Sequence, residues 1–148
     1  MSNEKVHWEE SYAVGIKEID DQHKKLFDLV NKLYDLEDNE NIKEDMREIL
    51  YAFRDYTIVH FKDEEEYMRS IAYPELEKHK KKHERIVNSL SQIISTPASL
   101  SIIKTKMRVV AKRILVDHII EEDHKIAIYK ENNIAEEEVF DLNDISQD

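Results

Sequence analysis

The chain has 148 residues with one glycine, two prolines and no cysteine, and 37% of it is charged. That length fits one domain, the scarcity of turn formers favours long helices over hairpins, and the lack of cysteine excludes disulfides, iron-sulfur clusters and sulfur-ligated zinc. A net charge of -11 argues against nucleic-acid or anionic-membrane partners, and no run approaches the roughly 20 apolar residues that span a bilayer, so a cytoplasmic protein is expected.

Taken in chain order, the alternation of Val6, Trp8, Tyr12, Val14 and Ile16 predicts an extended arm laid over a bundle, with Gly15 as its hinge. Asp20 or Asp21 is placed to cap a first helix over about 20–37, with the stripe His23, Leu26, Phe27, Val30, Leu33 and Tyr34. The second stripe, Ile42, Met46, Ile49, Phe53, Tyr56, His60 and Glu64, keeps a spacing of three and four to about Arg69. Pro74 suits the first turn of a third helix whose inner face is Leu76, His79, His83, Ile86, Val87, Leu90 and Ile94, stopping before Ser95.

A fourth helix begins at Ala98 or Ser99, carries Leu100, Ile103, Met107, Val110, Ile114, Leu115, His118 and Ile119 inward, and runs to about Lys130. The fold expected is all-α, an antiparallel up-down-up-down four-helix bundle with an extended N-terminal arm. Residues 1–130 form that bundle. Residues 131–148 form a tail with seven acidic side chains and no Lys, Arg or His, which leaves -4 on the remainder. Val139, Phe140, Leu142 and Ile145 allow the tail to lie against the bundle; the alternative is a solvated end.

Five of the seven histidines fall in apolar stripes rather than on charged faces. Burying an imidazole without a partner costs on the order of 1 to 3 kcal/mol, so five buried imidazoles call for a shared partner. His79 and His83 are four apart and project side by side to chelate one ion; His60 and Glu64 repeat the arrangement on another helix. His23 near the start of helix one, His60 near the end of helix two, His79 and His83 near the start of helix three and His118 late in helix four all meet at one level of an antiparallel bundle. Five imidazoles and the acids beside them are too many for one tetrahedral zinc and suit two octahedral ions bridged by carboxylates.

These residues resemble the hemerythrin family, in particular its single-domain bacterial members, over about residues 8–130. The matching segments are SYAVGIKEIDDQHKKLF (11–27), HFKDEEEYM (60–68), YPELEKHKKKH (73–83) and LVDHIIEED (115–123). The resemblance implies two iron ions with a bridging oxo or hydroxo group. His79, His83 and His118 would hold one ion and His23 and His60 the other. Glu64 and Asp123 would bridge them, and the ion with two histidines would take dioxygen reversibly. It also implies a carrier, storage or delivery role rather than an enzyme.

Helix geometry alone selects differently at one position. A step of five from His118 to Asp123 rotates about 140° round an ordinary helix, and Glu122 lies closer to the histidine's face. Following the family pattern therefore requires a sideways approach or a local distortion of the helix. Many family members carry tryptophan where this chain has Ile114, so a less shielded pocket is expected here. His7 and His124 match no ligand position. The competing readings are an oxygen or redox sensing module, a di-iron oxidase or peroxide or nitric oxide reducing enzyme, and a structural zinc bundle. A ferritin-like oxidase is disfavoured because only one Glu-x-x-His pair, Glu121 with His124, falls within a predicted helix.

Overall fold

The computed structural model describes residues 5–133, save the side chain of Ile114; the acidic segment 134–148 and the expectation attached to Ile114 lie outside the described residues. Four helices form: α1 (Lys17–Tyr34), α2 (Ile42–Ser70), α3 (Leu76–Ser95) and α4 (Leu100–Ala111). The last runs on through two π-helical stretches, Lys112–Asp117 and Ile119–Asp123, and is helical again from 124 to 133. Connections of a few residues force successive helices antiparallel, and the four close into the expected bundle.

The sequence spacing accounts for the burial. Leu26, Val30 and Leu33 of α1, Met46, Leu50 and Phe53 of α2, Leu90 of α3, Ile103 and Met107 of α4 and Leu115 of the π-helical stretch after it belong to the larger apolar cluster. Each such side chain contributes roughly 1.5 to 3 kcal/mol by leaving water. A smaller cluster of Met68, Tyr73 and Ile126 lies toward the opposite end of the helices. The level between the two clusters is where every helix carries histidine or a carboxylate.

The arm packs as expected, through Trp8 and Tyr12 on Phe27, with all three rings 5.8 Å apart between centroids. It also contains a short 3-10 turn, Glu10–Tyr12. Neither Asp20 nor Asp21 caps α1, which starts at Lys17 after an extended Ile16. Asp20 sits inside the first turn instead, and its carboxylate accepts from Val14 N at 2.8 Å and Gly15 N at 3.2 Å, fastening the hinge to the helix. The other end also comes earlier than expected, at Tyr34. There Lys104 of α4 donates to Leu36 O at 2.8 Å and Tyr34 O at 3.4 Å, placing a cation on the helix's last carbonyls.

Two further ends are set by local chemistry. Ser99 caps α4 by accepting from Ile102 N at 3.4 Å, one of the two starts expected. α2 ends in a Schellman motif, with Tyr73 N donating to Met68 O at 2.9 Å and Ala72 N to Arg69 O at 3.1 Å. Ala72 occupies the left-handed position at φ 54°, where glycine is usual, and Met68 and Tyr73 make the accompanying apolar contact.

Candidate metal centre

All seven residues singled out in the sequence are buried and converge at one level, with relative exposures of 6% or less. α1 supplies His23, α2 His60 and Glu64, α3 His79 and His83, and the π-helical end of the fourth helix His118 and Asp123. They fall into two groups with metal-holding spacing: Glu64, His79, His83, His118 and Asp123, and His23, His60, Glu64 and Asp123. His7 is exposed and His124 half-buried, and neither belongs to a group.

The two carboxylates are common to both groups because each divides its oxygens. Glu64 turns Oε1 toward His79 Nε2 (2.9 Å) and His83 Nε2 (3.1 Å), and Oε2 toward His60 Nε2 (3.3 Å) and His23 Nε2 (3.7 Å). Asp123 turns Oδ1 toward His79 (3.1 Å) and His118 (3.2 Å), and Oδ2 toward His23 (3.1 Å). Both carboxylates therefore divide along the same line, with His79, His83 and His118 on one side and His23 and His60 on the other.

The fit of these residues to metal ions rests on what the atoms lack. Glu64 Oε2, both Asp123 oxygens and His23 Nε2 are buried with no hydrogen-bond partner, although nitrogens and oxygens stand about 3 Å apart. Short separations without hydrogen-bond direction are what lone pairs aimed at a common third point produce. Two ligands each about 2.1 Å from one octahedral ion lie roughly 3.0 Å apart when adjacent, close to the separations seen.

Hydrogen bonds on the far side of two rings fix which nitrogen faces the centre. Gln22 Nε2 donates to Asp63 Oδ2 at 2.8 Å, so its Oε1 must be the atom 2.6 Å from His60 Nδ1. An amide oxygen only accepts, so Nδ1 carries the hydrogen and the Nε2 lone pair points inward. Glu65 Oε2 does the same for His83 Nδ1 at 2.8 Å. His83 Nε2 then faces His118 Nε2 at 3.2 Å, a repulsive approach unless a cation or a proton separates them. Phe61 stacks on His83 with centroids 3.7 Å apart and planes 4° from parallel, holding the ring's tilt.

Gln22 and Glu65 were not found by spacing. Each is the chain neighbour of a centre residue, His23 or Glu64, yet each serves a histidine on a different helix. Adjacency to a candidate ligand was the only signal the sequence offered.

The imidazoles and carboxylates of the centre set one another's proton affinities. Burial lowers the His60 imidazole from its ordinary value. Burial opposes the cation at His23 and His79 too, but Asp123 and Glu64 outweigh it and push both up to about 9. Burial likewise acts to raise Glu64 and Asp123, and the surrounding imidazoles override it and hold both carboxyls below their usual range. Two protons on imidazoles thus balance two buried carboxylates.

The π-helical stretches explain Asp123. A π turn closes through i→i+5 bonds, and His124 N donates to Ile119 O across five residues. In that wider turn the fifth residue after His118 comes round to the histidine's side. Glu122, favoured by α-helical spacing, points away and pairs with Lys82.

A family model described as the hemerythrin HHE cation binding domain matches residues 14–127. Myohemerythrin of Theromyzon tessulatum is 34% identical over 122 residues, 82% of this chain and 91% of its own. A bacteriohemerythrin of Methylococcus capsulatus is 41% identical over 76 residues, covering 51% of this chain and 57% of its own. One from Clostridium acetobutylicum is 34% identical over 86 residues, covering 56% and 67%. A crystal structure of a hemerythrin point mutant superposes with a TM-score of 0.70 at 27% identity, covering 84% of this chain and 95% of that one. With a matching model over most of its length, a relative aligned along nearly its whole fold and the same bundle in a solved structure, the chain belongs to the hemerythrin family.

Proposed function

We propose that this chain binds dioxygen reversibly at a carboxylate-bridged pair of iron ions with an oxo or hydroxo bridge, as a carrier, store or delivery protein. The observation that carries the reading is the division of the Glu64 and Asp123 oxygens between two imidazole sets. His79, His83 and His118 would hold one ion, His23 and His60 the other, and Glu64 and Asp123 both. When bound, the iron pair supplies the electrons that dioxygen takes up and returns.

The protein's own contribution is to position, to shield and to leave one place open. On the His23 and His60 side two imidazoles and two carboxylate oxygens would supply about four donors to an ion, against about five on the other side, so the former would have more room for dioxygen. Leu115 and Ile119, each 1% exposed, flank His118 in the chain, and the Phe61 ring packs on His83 and His118; such apolar neighbours would slow entry of water and reductants. Apart from the seven, the fully buried polar side chain among the described residues is Thr57, whose hydroxyl donates to Phe53 O at 2.7 Å. Among the described residues Glu64 and Asp123 are the fully buried acids, and both belong to the centre.

Metal analysis with oxygen uptake tests this. Anaerobic loading with ferrous iron should give two irons per chain and a limiting uptake of one dioxygen per pair. Retention of a single iron, or uptake that never saturates, would overturn the reading.

A further inference from the structure

The outer side of the fourth helix carries a feature that the metal centre does not use. A groove of about 530 Å³ runs between this helix and the N-terminal arm, lined by Val6, Val109 and Val116 and by Arg108, Lys112 and Arg113. The arm's side of it is held in place, since Val6 N donates to Asn31 Oδ1 at 2.9 Å and Asn31 Nδ2 donates to Val6 O at 2.7 Å. Lys5 at the groove's edge already pairs with Asp35 at 2.5 Å. Arg108, Lys112 and Arg113 make no ion pair among the described residues, in a chain of net charge -11. Asp117 is the one acid among the described residues that line the groove. Val109 is 49% exposed, and farther along the same helix Ile120 and Ile128 are 46% and 58% exposed.

We propose that the acidic segment 134–148 turns back at the end of the fourth helix and docks along this face, with its apolar residues toward the groove and its acids toward the three cations. Charge favours it: the segment holds six acidic residues and no basic one. Reach allows it as well. Fifteen extended residues span up to about 50 Å, whereas Arg108 lies roughly 38 Å back from residue 133 along the helix. At about 3.3 Å per tail residue against 1.5 Å per helical residue, Val139, Phe140, Leu142 and Ile145 fall opposite roughly residues 107–120. That stretch holds both the groove and the exposed Val109 and Ile120. Docking would also cover the outside of the π-helical segment that carries His118.

The chain's single tryptophan, Trp8, lies in the arm, and the chain has no cysteine, so one introduced thiol can be labelled alone. Energy transfer from Trp8 to an acceptor on Ser146→Cys, measured against unlabelled protein in the same metal state, reads the distance. The proposal expects strong transfer at low salt. It expects loss of that transfer at 1 M sodium chloride, where the screening length is about 3 Å, and in Lys112→Glu combined with Arg113→Glu. Retained helicity in the variant shows that folding is intact, and the salt arm needs no substitution there. Weak transfer in the parent protein, or transfer unmoved by both salt and charge reversal, would overturn the proposal. So would transfer that vanishes on mixing with excess unlabelled chain alongside a dimer mass by light scattering, which would assign the face to a second copy.

Discussion

Gln22 and His60, from neighbouring helices, share a short hydrogen bond at the centre's edge, 2.6 Å from amide oxygen to ring nitrogen. Because Asp63 fixes the amide's orientation, this bond sets both the tautomer and the direction of a proposed ligand. Gln22→Ala should therefore weaken metal binding roughly 10- to 100-fold without loss of helicity. Competition with a chelator checks this, and Glu65→Ala, acting on His83, should give a loss of similar size.

Asp123 and Glu122 stand side by side in sequence with opposite expected effects. Asp123→Asn removes a shared oxygen donor and should reduce metal content from two ions toward one. Glu122→Gln disturbs pairings with Lys82 and Lys125 and should leave content at two. Elemental analysis of the two variants after identical loading decides between the π-helical placement and plain α-helical spacing.

Proton release follows from the charge state of the metal-free centre. His23 and His79 bind protons up to about pH 9, and metal binding must displace them. Loading at pH 7 in weak buffer should release about two protons per chain, and metal affinity should climb as pH rises toward 9. For the metal-free protein the raised values stabilise the fold fully below the unfolded histidine value of about 6.5, and that contribution is lost as pH rises through about 9. Glu64 and Asp123 act in the opposite sense, stabilising above their unfolded values of about 4 and losing that effect as pH falls. Thermal melts of the metal-free protein should thus decline between pH 6.5 and 9, while those of the loaded protein hold.

Ala72 gives a prediction about the scaffold alone. An alanine in the left-handed position costs on the order of 1 kcal/mol relative to glycine. Ala72→Gly should raise the melting temperature by about 2 °C, with metal content unchanged.

Much of this centre was legible because helical spacing is a direct rule. His79 with His83 and His60 with Glu64 follow from one turn of helix, and His23 and His118 follow from antiparallel order. Asp123 was legible only through the family pattern, since the π turn that aims it is a backbone hydrogen-bond choice that side-chain periodicity does not encode. Gln22 and Glu65 were hidden for another reason: their partners lie across helix interfaces, 38 and 18 residues away. Asp20 misled because a carboxylate at a helix start reads as a cap, whereas here it holds the preceding hinge.

The most direct test of reversible dioxygen binding is repeated cycling of one ferrous-loaded sample between air and argon, followed by visible absorption and an oxygen electrode. The account predicts a charge-transfer band that appears in air and disappears under argon over several cycles, with the oxygen taken up being returned. A band that never forms, or oxygen consumed continuously without return, would contradict it.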